Sequence, residues 1–392
     1  MKILDTFIVA IAIVAIASCG GGGDDIASNG GGVGSGGTGI SGGGVGYVAG
    51  FGSIYVNGTR FDIDNATVTL ADDTALKLGM TVKAVGMLQT DFLKASASTV
   101  VSAIDVRGPV SNLNAASSTL QVHGLNVSTD SETIYEGINS LAGLANADWV
   151  KIYGHVWGVN NVRASRIEKF SAASTLILSG AVSGLNTGTK SFTLGNLTIQ
   201  YGGASFSNGV TAGSLSNGVV VRVRSTTLVA GTVLSASSIE AWYPLPSTNN
   251  TGLSISGVIT SYVGLGNFSV LGYPVDASAA VISGGPVGSM GDGVKIEVAG
   301  TVQGGVLRAS KVMMRQIPGT GGPAKFTATG PIALYVSAAS FTVQGQPIDA
   351  SGGSVTFSGG TLVNLRSSAK VTVVGSHVVS GVLIADSVTF VP

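Results

Sequence analysis

Few residues in this chain have the side-chain chemistry for acid–base catalysis. The sequence contains three histidines, His123, His155 and His377, and histidine is the side chain that changes charge near neutral pH. His123 and His155 lie in the same stretch of repeated sequence, so a shared site is one hypothesis. The other, which we favour, is that they are solvated loop histidines. We therefore assign no catalytic residue, no metal ligand and no cofactor, and we expect the protein not to be an enzyme.

The densest group of carboxylates is a second candidate site. The segment from Asp62 through Asp64 to Asn65 is rich in oxygen ligands, as calcium-binding loops are. It lacks the glycine and the distal glutamate of an EF-hand, and Phe61 and Ile63 place it on a strand. We expect Asp62, Asp64, Asp72 and Asp73 to be solvated at strand ends and in loops.

Four aromatic residues could provide stacking surfaces for sugars: Trp149, Trp157, Trp242 and Tyr243. Trp157 and Trp242 follow the ends of predicted strands, where we expect exposure. The alternative is that these rings pack between neighbouring repeats.

The beginning of the chain combines a basic residue, an apolar run and a single cysteine. Lys2 precedes an apolar run, Phe7 to Ala17, which is long enough for a signal peptide and too short to span a bilayer. The run ends in Ile16-Ala17-Ser18-Cys19, which resembles a lipobox. We predict a signal peptide over 1–18, lipidation of Cys19, the only cysteine, and a flexible Gly-rich tether over 19–45. Gly20 after the cysteine favours the outer membrane of a Gram-negative bacterium, on its periplasmic or its surface-exposed side.

The composition limits the classes of partner. Lys and Arg balance Asp and Glu at 20 each, so the chain lacks the excess of positive charge that phosphate backbones attract, and we expect no nucleic-acid partner. Charged residues make up only 10% of the chain, and glycine contributes 60 residues. After the leader no apolar run reaches the roughly 18 residues of a membrane helix. This composition is typical of turn-rich β structure.

A short hairpin pattern recurs five times. An apolar-x-apolar strand leads into a turn containing Gly or Asn, and both residue types tolerate the positive φ that tight hairpin turns require. The five strands begin at Ile54, Leu120, Phe192, Phe268 and Phe341, and the returning strands carry Phe61, Val127, Ile199, Val275 and Ile348. Asn196 replaces glycine in the third turn.

Each copy continues with an alternating fourth strand and a closing strand. Alternation of apolar and polar residues predicts a strand with one buried face, and the outward positions of the fourth strand are Lys83, Lys151, Arg222, Glu297 and Thr372. We predict an all-β tandem array of about five small antiparallel five-stranded barrels of the OB type, with a β-solenoid as the alternative. The predicted modules span 46–107, 108–178, 179–245, 246–317 and 318–392.

Two segments of the first copy resemble a known repeat domain. Gly46 to Asp62, after a lipobox and a Gly-rich stretch, is similar to the start of bacterial lipoproteins that carry the uncharacterised domain DUF5666. Leu78 to Gly86 is similar to its second recurrent segment. The resemblance implies an OB-like β module in a Gram-negative envelope and implies no activity.

Two functions from different classes follow. The first is a lipid-anchored, non-enzymatic binding or structural scaffold, attached to the membrane at Cys19, whose repeats recruit an envelope protein or a glycan. The second is an envelope carbohydrate-binding or enzyme-accessory protein that uses one specialised module. The second copy is the candidate there, since it holds two histidines and two tryptophans.

Overall fold

Five closed five-stranded barrels follow one another along the chain, as the repeats predict. The computed structural model describes residues 39–171, 175–226, 231–318 and 325–391. The predicted signal peptide, Cys19 and the tether up to residue 38 lie outside these residues. The barrels, numbered 1 to 5 in chain order, confirm an all-β array of five repeated modules.

Barrel 1 shows the pairing that the other four repeat. The first strand pairs with the second and the fourth, the second pairs with the third, and the fifth pairs with both the fourth and the third, which closes the sheet. The third strand is made of two pieces. Its strands are β1 (Ile40–Phe51), β2 (Ile54–Val56), β3 (Thr59–Asp62), β4 (Thr67–Leu70), β5 (Thr81–Leu88) and β6 (Lys94–Ser102).

The remaining barrels have the same order, with a split first strand in barrel 3, a split fourth strand in barrel 5 and a split fifth strand in both of these barrels. Barrel 2 comprises β7 (Val106–Asn114), β8 (Thr119–Val122), β9 (Leu125–Ser128), β10 (Ile134–Glu136), β11 (Trp149–Trp157) and β12 (Asn161–Phe170). Barrel 3 comprises β13 (Leu176–Ala181), β14 (Ser183–Asn186), β15 (Ser191–Leu194), β16 (Leu197–Gln200), β17 (Ser205–Ser207), β18 (Val220–Ser225), β19 (Val233–Ser235) and β20 (Ser238–Ala241). Barrel 4 comprises β21 (Gly252–Gly264), β22 (Asn267–Val270), β23 (Tyr273–Asp276), β24 (Val281–Ser283), β25 (Lys295–Gln303) and β26 (Val306–Gln316). Barrel 5 comprises β27 (Phe326–Ser337), β28 (Ser340–Val343), β29 (Gln346–Asp349), β30 (Thr356–Ser358), β31 (Lys370–Gly375), β32 (His377–Val379), β33 (Val382–Ile384) and β34 (Ser387–Phe390).

The helical segments among the described residues are short 3₁₀ turns before the fourth strands of barrels 2, 4 and 5. They span Leu141–Gly143, Val287–Ser289 and Leu362–Asn364. No helix in the part of the chain that the structure describes is long and apolar enough to cross a bilayer.

One seam of each barrel is parallel, which the hairpin patterns did not predict. The third strand runs parallel to the fifth, as in the pairing of Arg60–Asp62 with Lys94–Ser96. A chain of hairpins alone would make every pair antiparallel. Closing five strands into a barrel brings the third beside the fifth, and these two run in the same direction.

The predicted hairpin residues form the barrel interiors. The two apolar positions of each second strand and the apolar residue of each third strand are at most 2% exposed in all five copies. In the turns of barrels 1, 2, 4 and 5 both central residues have positive φ, as in Asn57-Gly58 and Leu271-Gly272. In the third copy Gly195 has positive φ and Asn196 does not. The expectation that Asn196 takes the place of the turn glycine was therefore wrong.

A glycine in the fourth strand allows the fifth strand to approach closely. At Gly86, Gly154, Gly300 and Gly375 an added Cβ would lie 2.0 to 2.4 Å from a carbonyl oxygen of the fifth strand. In barrels 1, 2 and 4 the strand register shifts at this glycine, which marks a β-bulge. Bulges of this kind bend a sheet enough to close it.

The barrels also pair with one another through their first strands. Gly42–Val45 of β1 pairs in parallel with Gly252–Ile255 of β21, and Gly50–Phe51 pairs in parallel with Thr327–Ala328 of β27. β7 and β13 meet in a short antiparallel pairing. Barrel 1 therefore shares a sheet with barrels 4 and 5, and barrel 2 shares one with barrel 3.

This pairing corrects the end of the predicted tether. Residues 40–45, assigned to a flexible segment, belong to β1, where Ile40–Val45 pairs with β5. An added Cβ at Gly42 would lie 1.9 Å from the carbonyl oxygen of Gly252. The glycines here are strand residues that let two barrels approach closely, a requirement that composition alone does not distinguish from flexibility.

Candidate functional site

The outward residues of the fourth strands lie between barrels in two copies. Arg222 is 2% exposed and Glu297 is 7% exposed, although both point away from the interior of their own barrel. Lys83 is half-buried, and its Nζ donates to the carbonyl of Pro244. The prediction that these positions face water is wrong for Arg222 and Glu297, because neighbouring barrels cover them.

Arg222 belongs to a buried network at the junction of barrels 1, 2 and 3. Asp105, fully buried between β6 and β7, accepts hydrogen bonds from Arg222 Nη2 at 2.9 Å and Trp242 Nε1 at 2.6 Å. Arg222 Nη1 also donates to Glu240 Oε1 at 2.9 Å, and its guanidinium lies 4.9 Å from the centre of the Tyr243 ring. We call Asp105, Arg222, Glu240, Trp242 and Tyr243 the Asp105 cluster.

The pKa values in this cluster show how strongly burial and pairing compete. Burial raises the pKa of the Asp105 carboxyl in spite of the facing Arg222. Burial alone would lower the pKa of Arg222, but Tyr243, Asp105 and Glu240 outweigh it and the net shift is upward. The charged pair is therefore stable only while both partners remain in place.

A second buried network joins barrels 1, 2 and 4. Lys295, 1% exposed at its side chain, donates to Glu132 Oε2 at 2.7 Å and to Asp130 Oδ2 at 3.2 Å. Arg315 Nε donates to Glu132 Oε1 at 2.8 Å, and Tyr47 donates its hydroxyl to Oε2 at 3.0 Å. We call Tyr47, Asp130, Glu132, Lys295 and Arg315 the Glu132 cluster.

The Glu132 cluster keeps its charges by mutual pairing. Burial would raise the pKa of Asp130, but Lys295 and Arg163 outweigh it and the net shift is downward. Burial would lower the pKa of Lys295, and Asp130 and Glu132 reverse that effect. Glu297, which borders the cluster, has a raised pKa because of its burial. Shifts of this kind also occur at active sites, but here the groups connect barrels.

His155 lies beside this cluster and not in a loop. It is fully buried, its Nε2 is hydrogen-bonded to Ser256 Oγ at 2.9 Å, and its ring meets Tyr47 edge to face. Burial, reinforced by Lys295, lowers the pKa of His155 to about 3. The expectation of a solvated loop histidine was wrong for this residue, because barrels 1 and 4 cover its strand.

The other two histidines have different surroundings. His123 lies in the β8–β9 turn with positive φ, and its carbonyl accepts from the backbone of Asn196 in barrel 3. Burial lowers its pKa. His377 is exposed at the start of β32. None of the described contacts joins His123 to His155, so the structure does not assemble the shared site considered from sequence.

The four aspartates of the calcium hypothesis also separate. Asp62 accepts from the backbone of Asp64, Asp72 forms two hydrogen bonds with Arg224, and Asp73 accepts from the Tyr153 hydroxyl. Among the described residues no three His, Cys, Asp or Glu side chains are placed to hold one metal ion. Asp72 and Asp73 connect barrels, which the expectation of solvated carboxylates did not anticipate.

The aromatic candidates divide between packing and exposure. Trp242 and Tyr243 are 6% and 4% exposed and belong to the Asp105 cluster, so the predicted exposure of Trp242 was wrong. Trp149 is half-buried and packs edge to face on Phe170. Trp157 is half-buried at the end of β11 and lines an open cleft on barrel 2.

The outer face of barrel 2 carries a row of four amide side chains across neighbouring strands. Asn112 Nδ2 donates to Gln121 Oε1 at 2.6 Å, Gln121 Nε2 to Asn126 Oδ1 at 2.8 Å, and Asn126 Nδ2 to Asn161 Oδ1 at 3.3 Å. We call these four residues the amide row. They come from the first, second, third and fifth strands of the barrel, and the strand registers place Gln121 beside Asn126 and Asn126 beside Asn161.

The amide row borders a cleft of about 280 Å³. Trp157 pairs with Asn161 across the β11–β12 register and forms one wall. Its Nε1 is buried and has no hydrogen-bond partner among the described residues. The described residues that line the cleft are uncharged: Asn112, Thr119, Leu120, Gln121, Asn126, Val127, Ser128, Trp157 and Asn161.

A larger cleft of about 430 Å³ lies between barrels 1, 2 and 5. Its charged lining residues pair with one another and with a neighbour. Lys77 contacts Glu136 and Glu168, and Arg166 contacts the same two carboxylates. Lys77 of barrel 1 pairs here with carboxylates of barrel 2, whereas Arg166 pairs with both of them within barrel 2. The cleft on barrel 2 has no charged side chain among its described lining residues, and we take it as the candidate ligand site.

Comparison with protein-family models finds one family along the chain. The model described as Domain of unknown function (DUF5666) matches residues 43–96, 107–168, 179–240, 256–313 and 329–389, which is more than half of the sequence. The chain belongs to the DUF5666 family. A search of curated proteins found no match for this chain.

The five DUF5666 repeats provide an internal comparison for the amide row. At the paired outward positions of the second and third strands barrel 2 has Gln121 and Asn126. The equivalent pairs in barrels 1, 3, 4 and 5 are Tyr55 and Arg60, Thr193 and Thr198, Ser269 and Pro274, and Thr342 and Pro347. The amide row is therefore specific to the second DUF5666 repeat.

Sequence reasoning identified Trp157 and missed the amide row. Its members lie far apart along the chain, and each is one outward polar residue among many. Aligning the copies on the hairpin motif and reading the outward positions would have singled out Gln121 and Asn126.

Proposed function

We propose that this protein is a non-enzymatic binding scaffold, anchored by a lipid on Cys19 to the outer membrane of a Gram-negative bacterium. One observation supports the scaffold role above others. The five barrels are joined by strand pairing and by buried ion networks, so they present their outer faces in a defined arrangement. A repeat array that holds its modules in place can display several faces to one large partner.

The lipid anchor is tested by metabolic labelling with an alkynyl palmitate analogue in cells that express the full chain. Label on the wild-type chain, its loss in Cys19→Ala, and recovery of the wild-type chain in the outer-membrane fraction would support the anchor. An unlabelled wild-type chain would contradict it.

The scaffold role is tested by crosslinking in cells, followed by affinity capture and mass spectrometry. We expect a stoichiometric envelope partner that crosslinks to the anchored chain and is lost with Cys19→Ala. Turnover of an envelope substrate by the purified full chain would contradict the non-enzymatic role.

A second candidate function is carbohydrate binding through one specialised module. The amide row and Trp157, which occur together on barrel 2, favour it. Of the residues that first pointed to this module, Trp157 lies in the cleft, whereas His155 lies in the contact between barrels.

A further inference from the structure

We propose that the amide row and Trp157 form a binding site for an uncharged polysaccharide chain on the outer face of barrel 2. Four amides form a hydrogen-bonded row across four strands, beside a cleft of about 280 Å³ that has a tryptophan wall. This inference rests on the proposed binding role and names the chemistry of one ligand.

The amide row is arranged for ligands that both donate and accept hydrogen bonds. An amide side chain offers two N–H donors and a carbonyl acceptor with two lone pairs. The row uses one N–H each of Asn112, Gln121 and Asn126, and each of these amides keeps a second N–H. Because neighbours hold the amide planes, less side-chain freedom is lost when a ligand binds. Sugar hydroxyls, which donate and accept in turn, match this pattern.

Trp157 provides the apolar part of the site. A half-buried indole at the edge of an open cleft offers a flat surface to the C–H face of a sugar ring. Its Nε1, buried without a partner among the described residues, is a donor that a ligand oxygen can satisfy after a small movement of the ring. An unpaired buried donor is costly, so such a contact favours the bound state.

Charge excludes the competing ligand classes. The described lining residues are uncharged, whereas phosphate and carboxylate groups are bound by Arg, Lys or convergent backbone N–H groups. Arg163 lies nearby, but it pairs with Asp130 and donates to Ser128 Oγ. The site therefore suits a neutral glycan better than a nucleic acid or an acidic polysaccharide.

The open shape of the site determines the length of the ligand. The row crosses the strands, so a chain lying along it would contact several amides in succession while one ring stacks on Trp157. Affinity should then increase from a disaccharide to about a tetrasaccharide and level off, because four strands about 4.8 Å apart span only roughly 14 Å.

The test is isothermal titration calorimetry on the lipidated full chain, in a detergent without a sugar headgroup. The probes are chitohexaose, cellohexaose and maltohexaose, with a polygalacturonate oligomer as the anionic comparison. We expect saturable binding of at least one neutral probe, about tenfold weaker binding in Gln121→Ala and in Asn126→Ala, and a similar loss in Trp157→Ala.

Matched controls come from barrel 3, where Thr193→Ala and Thr198→Ala change the equivalent outward positions. These variants should keep wild-type affinity. Circular dichroism of each variant establishes that it is folded. The proposal is overturned if no neutral probe binds, if only the anionic oligomer binds, or if the barrel 3 variants lose as much affinity as the barrel 2 variants. Such a failure would leave the crosslinking result for the scaffold role unchanged.

Discussion

At the residue scale, the ionisable side chains with the strongest pKa shifts act where barrels meet. His155 is neutral because burial lowers its pKa to about 3. Asp105 and Arg222 form an ion pair that is buried where barrels meet. In an enzyme such groups would face a cleft. Here Lys295, Glu132 and Arg222 contact partners in other barrels, so we interpret them as determinants of assembly.

The stability of the protein should fall in mild acid through His155. The unfolded chain takes up a proton at His155 below about pH 6.5, whereas the folded chain does so only near pH 3. The contribution of neutral His155 to the unfolding free energy is therefore complete above about pH 6.5 and is lost as the pH falls toward 3. Between pH 7.5 and 5.0 the wild type should lose about 2 kcal/mol more unfolding free energy than His155→Gln. Urea denaturation at both pH values measures this. His377→Gln, at an exposed histidine, should keep the wild-type dependence, and an unchanged dependence in His155→Gln would refute the assignment.

Replacing Arg222 should lower the free energy of unfolding much more than replacing an exposed arginine. Arg222→Met leaves the Asp105 carboxylate buried without its charged partner, which costs about 3 to 5 kcal/mol in comparable buried pairs. The matched control is Arg308→Met, since Arg308 is 50% exposed and pairs with Asp276 at the surface. Chemical denaturation measures the unfolding free energy of both variants. Equal decreases would show that the buried ion pair of the Asp105 cluster stabilises the protein no more than a surface pair does.

At the element scale, glycine has two separate roles in these strands. In the fourth strands it lets the fifth strand bulge inward and close the barrel, as at Gly300, which lies opposite Ala309 and against the carbonyl oxygen of Arg308. In the first strand it lets one barrel approach another, as at Gly42 opposite Gly252. Neither role depends on flexibility, because both arise from the missing Cβ.

Adding one methyl group at a bulge glycine should destabilise its barrel. In Gly300→Ala the new Cβ would lie 2.0 Å from the carbonyl oxygen of Arg308, so the backbone must shift, at a cost of about 1 to 3 kcal/mol. Gly264→Ala is the control, since a Cβ there meets no atom within 4 Å. Urea midpoints of the two variants give the comparison. Similar midpoints would mean that the strands relax freely around Gly300.

At the scale of the whole molecule, the described barrels form one body. β1 pairs with β21 and β27, the Asp105 cluster joins barrels 1, 2 and 3, and the Glu132 cluster joins barrels 1, 2 and 4. Modules of this size gain only a few kcal/mol from their own cores, so burial between barrels must supply much of the stability.

The five barrels should therefore unfold in a single transition. Fluorescence of Trp149, Trp157 and Trp242 reports on barrels 2 and 3, and hydrogen exchange of peptides from β1, β25 and β31 reports on barrels 1, 4 and 5. We expect both observables to change at the same denaturant concentration, because the barrels share sheets and buried ions. Separate midpoints for barrels 4 and 5 would show that these modules are independent.

The sequence by itself determined the barrel and its repetition. Alternation at period two and the glycine-containing turns are local properties, and the apolar residues that they placed inside, such as Phe61 and Phe268, are at most 1% exposed. The assembly was decided only by the tertiary structure. Alternation shows which side of a strand leaves the barrel interior, but not whether that side meets water, as Asn126 does, or another barrel, as Arg222 does. The amide row and the junction clusters both depend on residues far apart in the chain, which local patterns cannot bring together.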